Sequence, residues 1–287
     1  KVIEVLDENP AARLISVSPN DGGDYCECSV CTAFNQAEGS DGATLLHFVN
    51  LVAEAIESKH ADVRVVHLAY LGTDTPAVTI RPRNNVVVMF ATDYDAWRWP
   101  FVPYTETNVT KRRLSPWPEM GAHVYVWDYV TNFSHYLLPM PNLSIIEGNV
   151  HFLMDQGVEG LFLQGAYQSP GSARGPMRAW VWAKKLWDPQ RDVDSLVRDF
   201  TFGYYEEAAP PMQEYNELLE RAHAEHLDEF VAEYESGREI KYNIRYDPDA
   251  GFLEADFLEA ATSLFAEAER LAASEDVLAR VKLAKLS

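Results

Sequence analysis

Positive charge is scarce in this chain: 24 Lys+Arg stand against 44 Asp+Glu, a net charge of −20. Nucleic acid and anionic membrane surfaces are excluded as main partners, because each phosphate contact would form against the protein's own field. No apolar run approaches the ~20 residues a membrane span needs, so membrane insertion is not expected. The sequence holds no GxGxxG, no GxxxxGK[ST] and no GxSxG. Nucleotide-binding and serine-hydrolase readings lose their main support. Cysteine is confined to Cys26, Cys28 and Cys31. Three thiols fall one short of a four-ligand structural zinc site, which would need a remote His such as His47. The reading is therefore no metal, with these three cysteines as the only candidates and a local disulfide or three reduced thiols preferred. No initiator Met and no signal peptide can be read, and no fixed-period repeat or low-complexity stretch occurs.

What is present is a core. Hydrophobic residues make up 47% of the chain and aromatics 12%, ample for globular packing. From Leu14 onward short apolar runs alternate with helical patterns, the signature of βα units on a parallel sheet. Strands are expected at Leu14–Ser18, Val63–Ala69, Val86–Ala91, His123–Trp127 and Gly160–Leu163, all with the weak alternation of strands buried on both faces. Helices are expected at Ala43–Lys59, Pro141–Gln156, Arg178–Leu186 and Asp194–Tyr205, and Lys1–Asn9 reads as the last turns of another. Beyond Met212 the pattern is almost wholly helical, broken by a loop near Tyr242–Gly251.

The fold class expected is an α/β (β/α)8 TIM-type barrel with strands four to eight in this chain, over residues 1–205, followed by a helical appendage over 206–287. Its first three strands would lie upstream of Lys1; an open sheet of five strands is the competing architecture.

Barrel enzymes draw their functional groups from the C-terminal strand ends. That rule selects Ser18–Gly23 after the first strand, Tyr70 and Asp74 after the second, and Asp93, Tyr94, Asp95, Trp97, Arg98 and Trp99 after the third. Asp128 and Tyr129 follow the fourth; Gln164, Tyr167 and Arg174 follow the fifth. Carboxylates across a barrel mouth with flat rings nearby are what glycosidic cleavage needs. Asp21 and Asp128 would stand on opposite sides of that mouth. Each also has a plain structural reading, Asn20-Asp21-Gly22 as turn chemistry and Asp128 as a cap. Tyr94, Trp97, Trp99 and Tyr104 read more readily as a loop packed on itself than as a sugar platform. His223 and His226 lack the HExxH arrangement and are expected on a solvated face. Asn108, Asn132 and Asn142 begin triplets that match glycosylation acceptors.

Taken together, Asn9-Pro10, Ile15-Ser16-Val17-Ser18-Pro19-Asn20-Asp21-Gly22, Cys26-x-Cys28-x-x-Cys31, Leu68-Ala69-Tyr70, Val126-Trp127-Asp128-Tyr129, Gly157-Val158-x-Gly160, Gln164-Gly165 and Ala183–Pro189 resemble a bacterial barrel family. That family is long described as a domain of unknown function in polysaccharide- and glycan-utilisation systems. It includes endo-β-N-acetylglucosaminidases, and its barrel is similar to those of α-glucuronidases and β-hexosaminidases. The resemblance spans roughly Asn9 to Tyr205. It implies a periplasmic or extracellular glycoside hydrolase that acts on an oligosaccharide or glycan without a cofactor.

On that resemblance Asp21, Asp128 and Asp93 are the catalytic candidates, and Asn20, Tyr70, Trp97, Trp99, Trp127, Tyr129, Gln164 and Tyr167 line the sugar site. Two mechanisms stay open. Asp21 is the acid and Asp128 the nucleophile or base, or the substrate's acetamido group attacks while Asn20 or Asp21 orients it and Asp93 is the acid. An α-glucuronidase-like hydrolase is the alternative activity. The family pattern often has an acid where this chain has Leu163, and that departure implies a non-catalytic carbohydrate-binding barrel as a further alternative.

Overall fold

A computed structural model describes residues 1–22, 25–92, 103–106, 108–169, 171–236 and 251–287. Twelve helices and five strands are found among them, and they divide into two compact units. The first comprises the described parts of Lys1–Asp93, Thr105–Asp128 and Leu153–Phe162; the second comprises the rest.

The first unit is built on strands β1 (Leu14–Ser16), β2 (Arg64–Ala69), β3 (Val86–Ala91), β4 (His123–Tyr129) and β5 (Val158–Gln164), whose last residues pass into the second unit. They form one sheet in the order β1-β2-β3-β4-β5. The pairs β1–β2, β2–β3 and β3–β4 are parallel. The α/β class and the parallel sheet thus agree with the expectation from the sequence. β4 and β5 run one or two residues further than the apolar runs indicated, because Asp128, Tyr129 and Gln164 continue the extended backbone.

Register sorts the side chains into two faces. Ile15 pairs Val65, Val65 pairs Val86, His67 pairs Val88, and Val88 and Phe90 pair Val124 and Val126. This face is covered by helices. Leu6 of α1 (Val2–Glu8) and Val49, Ala53 and Ile56 of α3 (Ala43–Glu57) pack on Val63, Val65 and Val86. The spacing of Leu46, Val49, Ala53 and Ile56 along α3 is that of one helical stripe, and all four are buried. Burying each of Leu46, Val49 and Ile56 stabilises the fold by about 1.5–3 kcal/mol. Gly42 caps the start of α3, and a Cβ there would stand 3.0 Å from the Cα of Thr73, so a larger residue would need helix and turn to give by a few tenths of an ångström.

The opposite face carries Val66, Leu68, Met89, Tyr125 and Trp127. At its N-terminal rim Glu159 meets His123 at 2.6 Å and Arg64 at 3.6 Å. β2 and β5 stand three strand spacings apart, ~14 Å along a sheet at ~4.8 Å per strand. An Arg64–Glu159 contact across that interval requires the sheet to curl.

Three helices of this unit escape the sequence pattern: α2 (Ser29–Glu38), α4 (Val109–Leu114) and α5 (Pro116–Glu119). α2 ends at Gly39, whose φ of 61° lets its N–H reach the carbonyls of Asn35 and Gln36.

The second unit holds most of α6 (Ile146–Asp155) together with α7 (Gly175–Trp187), α8 (Val193–Tyr205), α9 (Ala209–Glu225), α10 (Leu227–Glu235), α11 (Ala255–Leu271) and α12 (Glu275–Ala284). Tyr215 of α9 packs on Phe265 of α11 at 4.6 Å between ring centres. Buried Lys185 closes the α7–α8 connection by donating to the carbonyls of Pro189 and Arg191 at 2.6 and 2.8 Å. Of the loop near Tyr242–Gly251, residues 242–250 lie outside the described residues.

His223 does not lie on a solvated face. It is 1% exposed against Phe252, because α9 is covered by α11 and the segment leading into it, and burial pushes its pKa down to about 4. The glycosylation triplets are structural too: Asn108, Asn132 and Asn142 are all buried. Asn132 Oδ1 accepts from the backbone N–H of Ser134 and of His135, an Asx turn that explains the residue without a glycan.

Candidate functional site

The C-terminal ends of the parallel strands gather most of the residues singled out from the sequence. In the first unit Asn20 and Asp21 follow β1 and are both exposed. Tyr70 and Asp74 follow β2 on a 3-10 turn over Leu71–Thr73, with Tyr70 half-buried and Asp74 buried. Thr73 Oγ1 accepts from the Tyr70 N–H at 3.1 Å and so fixes the start of that turn.

Trp127 and Asp128 stand near the end of β4 on opposite faces. Trp127 is half-buried, and its ring meets Phe162 of β5 edge-on at 4.7 Å. Asp128 continues the helix-side row of Val124 and Val126 and is 3% exposed. Its Oδ1 accepts a 2.6 Å hydrogen bond from Thr92 Oγ1, just beyond β3. Asp21 and Asp128 therefore stand in different environments, one open to solvent and one enclosed.

Asp74 is a carboxyl whose weight the strand-end rule understated. Burial raises its pKa above the usual carboxylate value, and the Arg113 guanidinium that donates to Oδ2 partly offsets that rise. Its backbone carbonyl accepts from Trp117 Nε1 at 2.8 Å. Asp74 thus ties the β2 turn to α4 and α5, and its charge is already partnered.

Tyr25 has no signal in the sequence beyond its place before Cys26. Its ring lies against Gly72, where a Cβ would meet it at 3.3 Å, and its hydroxyl bonds the Thr73 side chain. Burial pushes its pKa up, and Asp41 and Asp74 nearby push it further. Tyr25 anchors the chain next to Cys26 onto the turn that carries Asp74.

In the second unit Tyr129 packs edge-on against Phe133 at 5.9 Å. Gln164, half-buried at the end of β5, accepts through its backbone carbonyl from the Val130 N–H at 3.0 Å. Tyr167 is 70% exposed, and its hydroxyl accepts from Gln168 Nε2. Leu163 lines a cavity of about 510 Å³ with Val130, Arg178 and Trp182.

Asp93, Trp97 and Trp99 lie outside the described residues. Tyr104, from the same aromatic group, is buried on Phe152 at 5.8 Å, with its N–H donating to Asn149 Oδ1.

Cys26, Cys28 and Cys31 are free thiols whose sulfurs all lie within 4.8 Å of one another. His47 is not one of the group; its ring packs on Phe34 at 5.7 Å.

A family model described as Domain of unknown function (DUF4838) matches residues 1–217. No curated protein and no solved structure matches the chain.

Proposed function

We propose that this chain, which belongs to the DUF4838 family through residues 1–217 of its 287, is a glycoside hydrolase that cleaves a complex glycan at an N-acetylglucosamine. In this reading β1–β5 are the later five strands of an eight-stranded barrel. The protein works in the periplasm or outside the cell, where such glycans are met.

The observation that carries the proposal is the exposed Asn20-Asp21 pair after β1, in one unit with Tyr70, Trp127 and Asp128 at other C-terminal strand ends. Parallel α/β sheets place their chemistry at those ends. The resemblance described above supplies the substrate class.

Asp128 is enclosed and bonded to Thr92, which fits a carboxylate that holds charge and position beneath the site better than one that attacks a sugar. The substrate-assisted mechanism is favoured on that ground. The acetamido oxygen of the N-acetylglucosamine attacks its own anomeric carbon, Asn20 and Asp21 orient the amide, and a carboxylic acid, Asp93 in this assignment, protonates the leaving oxygen. Water then opens the oxazolinium intermediate.

The test is a substrate panel. The protein incubated with N-glycans, with aryl N-acetylglucosaminides and with glucuronides should release product only from substrates that carry the 2-acetamido group. Release from glucuronides alone assigns the α-glucuronidase-like alternative, and glycan binding without release from any of them assigns a binding barrel.

A further inference from the structure

The hydrolase reading makes no use of Cys26, Cys28 and Cys31, yet these hold the tightest group of metal-ligating atoms among the described residues. Their spacing, Cys-x-Cys-x-x-Cys, places the last two at the start of α2: Cys28 is its N-cap and Cys31 lies in its first turn. The Cys31 N–H donates to Cys28 Sγ at 3.5 Å, and the Val30 N–H is directed at the same sulfur. Two amide donors aimed at one sulfur stabilise a thiolate, as does the positive end of the helix.

We infer that Cys26, Cys28 and Cys31 form a three-thiolate site for a thiophilic d10 cation, Zn²⁺ in the test below, that ties Cys26 to the start of α2. Zn–S bonds of ~2.3 Å in a tetrahedron set sulfur–sulfur distances of ~3.8 Å. The three sulfurs, already within 4.8 Å, reach that by small side-chain movements. Among the described residues no His, Asp or Glu joins them. Cys26 and Cys28 are exposed, and the net charge of −20 favours a cation's approach. Binding replaces each S–H by S–Zn and releases the remaining thiol protons to solvent, with no change of oxidation state. The site goes beyond the hydrolase reading and stands without it.

Tyr25, next to Cys26, packs on Gly72, and Asn20-Asp21 lie a few residues before it. A cation on the three sulfurs therefore fixes Cys26 beside the Tyr25 contact with Gly72.

The experiment uses the whole reduced chain titrated with Co²⁺ and then with Zn²⁺. The expected result is one Co²⁺ per chain, with sulfur-to-cobalt charge transfer in the near ultraviolet and tetrahedral ligand-field bands in the visible. Zn²⁺ should displace it with an apparent Kd below ~1 μM. Cys28→Ser and Cys31→Ser should each weaken binding at least ~100-fold, while circular dichroism and the thermal midpoint of the metal-free variants match the metal-free wild type. Absence of the charge-transfer bands, or retention of them in Cys28→Ser, would overturn the site. So would a disulfide between two of the three cysteines in protein purified without reductant.

Discussion

Thr92 Oγ1 reaches across the β3–β4 pair to Asp128 Oδ1 at 2.6 Å, a hydrogen bond buried at both ends. It joins the ends of two neighbouring strands on the helix side of the sheet, with Trp127 on the other side of the same strand end.

Thr92→Val keeps the shape of the side chain and removes the donor. A buried carboxylate that loses a hydrogen bond costs about 1–3 kcal/mol, and that is the loss of unfolding free energy expected in urea titration. Asp128→Asn in the same assay should cost less, since the amide oxygen still accepts from Thr92.

The Asp74–Arg113 pair predicts a pH dependence. Asp74 is buried while Arg113 is partly exposed, so Arg113→Met leaves an uncompensated charge and should cost about 1–3 kcal/mol at pH 7, discounted for the solvent that reaches Arg113. The folded pKa of Asp74 is raised above 3.8. Its favourable contribution is therefore present below 3.8 and is lost as pH rises through the folded pKa. Denaturation midpoints of Arg113→Met should differ from wild type more at pH 7 than at pH 4.

His67 gives the opposite slope. Neither ring nitrogen has a partner among the described residues, and burial lowers its pKa from 6.5 to about 4. A His with a depressed folded pKa contributes stability that is present above 6.5 and lost as pH falls to about 4, roughly 3 kcal/mol in all. His67→Leu should flatten the decline of unfolding free energy between those two pH values by about that amount.

The five strands were legible in the sequence because each is a short apolar run, Val86–Ala91 being the plainest, and α3 because its stripe at Leu46, Val49, Ala53 and Ile56 repeats at helical spacing. α2 is harder to read because Ser29–Glu38 is weakly apolar, with Val30 and Phe34 its large apolar residues and only Glu38 buried; its signals are the Cys28 cap and Gly39, which gain meaning only in place. His223 was misjudged for a related reason: its own helix is acid-rich, and the cover comes from Phe252 and α11, far along the chain. The strand-end rule selects Asp21, Tyr70, Asp74 and Asp128, and the structure places each of them at or after the end of a strand. It could not tell the exposed Asp21 from the enclosed Asp128, because that difference follows from strand register. Tyr25 was invisible, since its role is set by Gly72 on another turn.

The most direct test of the proposed activity is the rate of oligosaccharide release from an N-glycan by wild type and by Asp21→Asn. Asp21 is exposed, so the substitution should leave the thermal midpoint unchanged. The account predicts release by wild type and a fall in kcat of at least ~10²-fold in the variant, the scale of a lost positioning carboxylate. Equal rates in the two proteins, or no release by wild type, would contradict it.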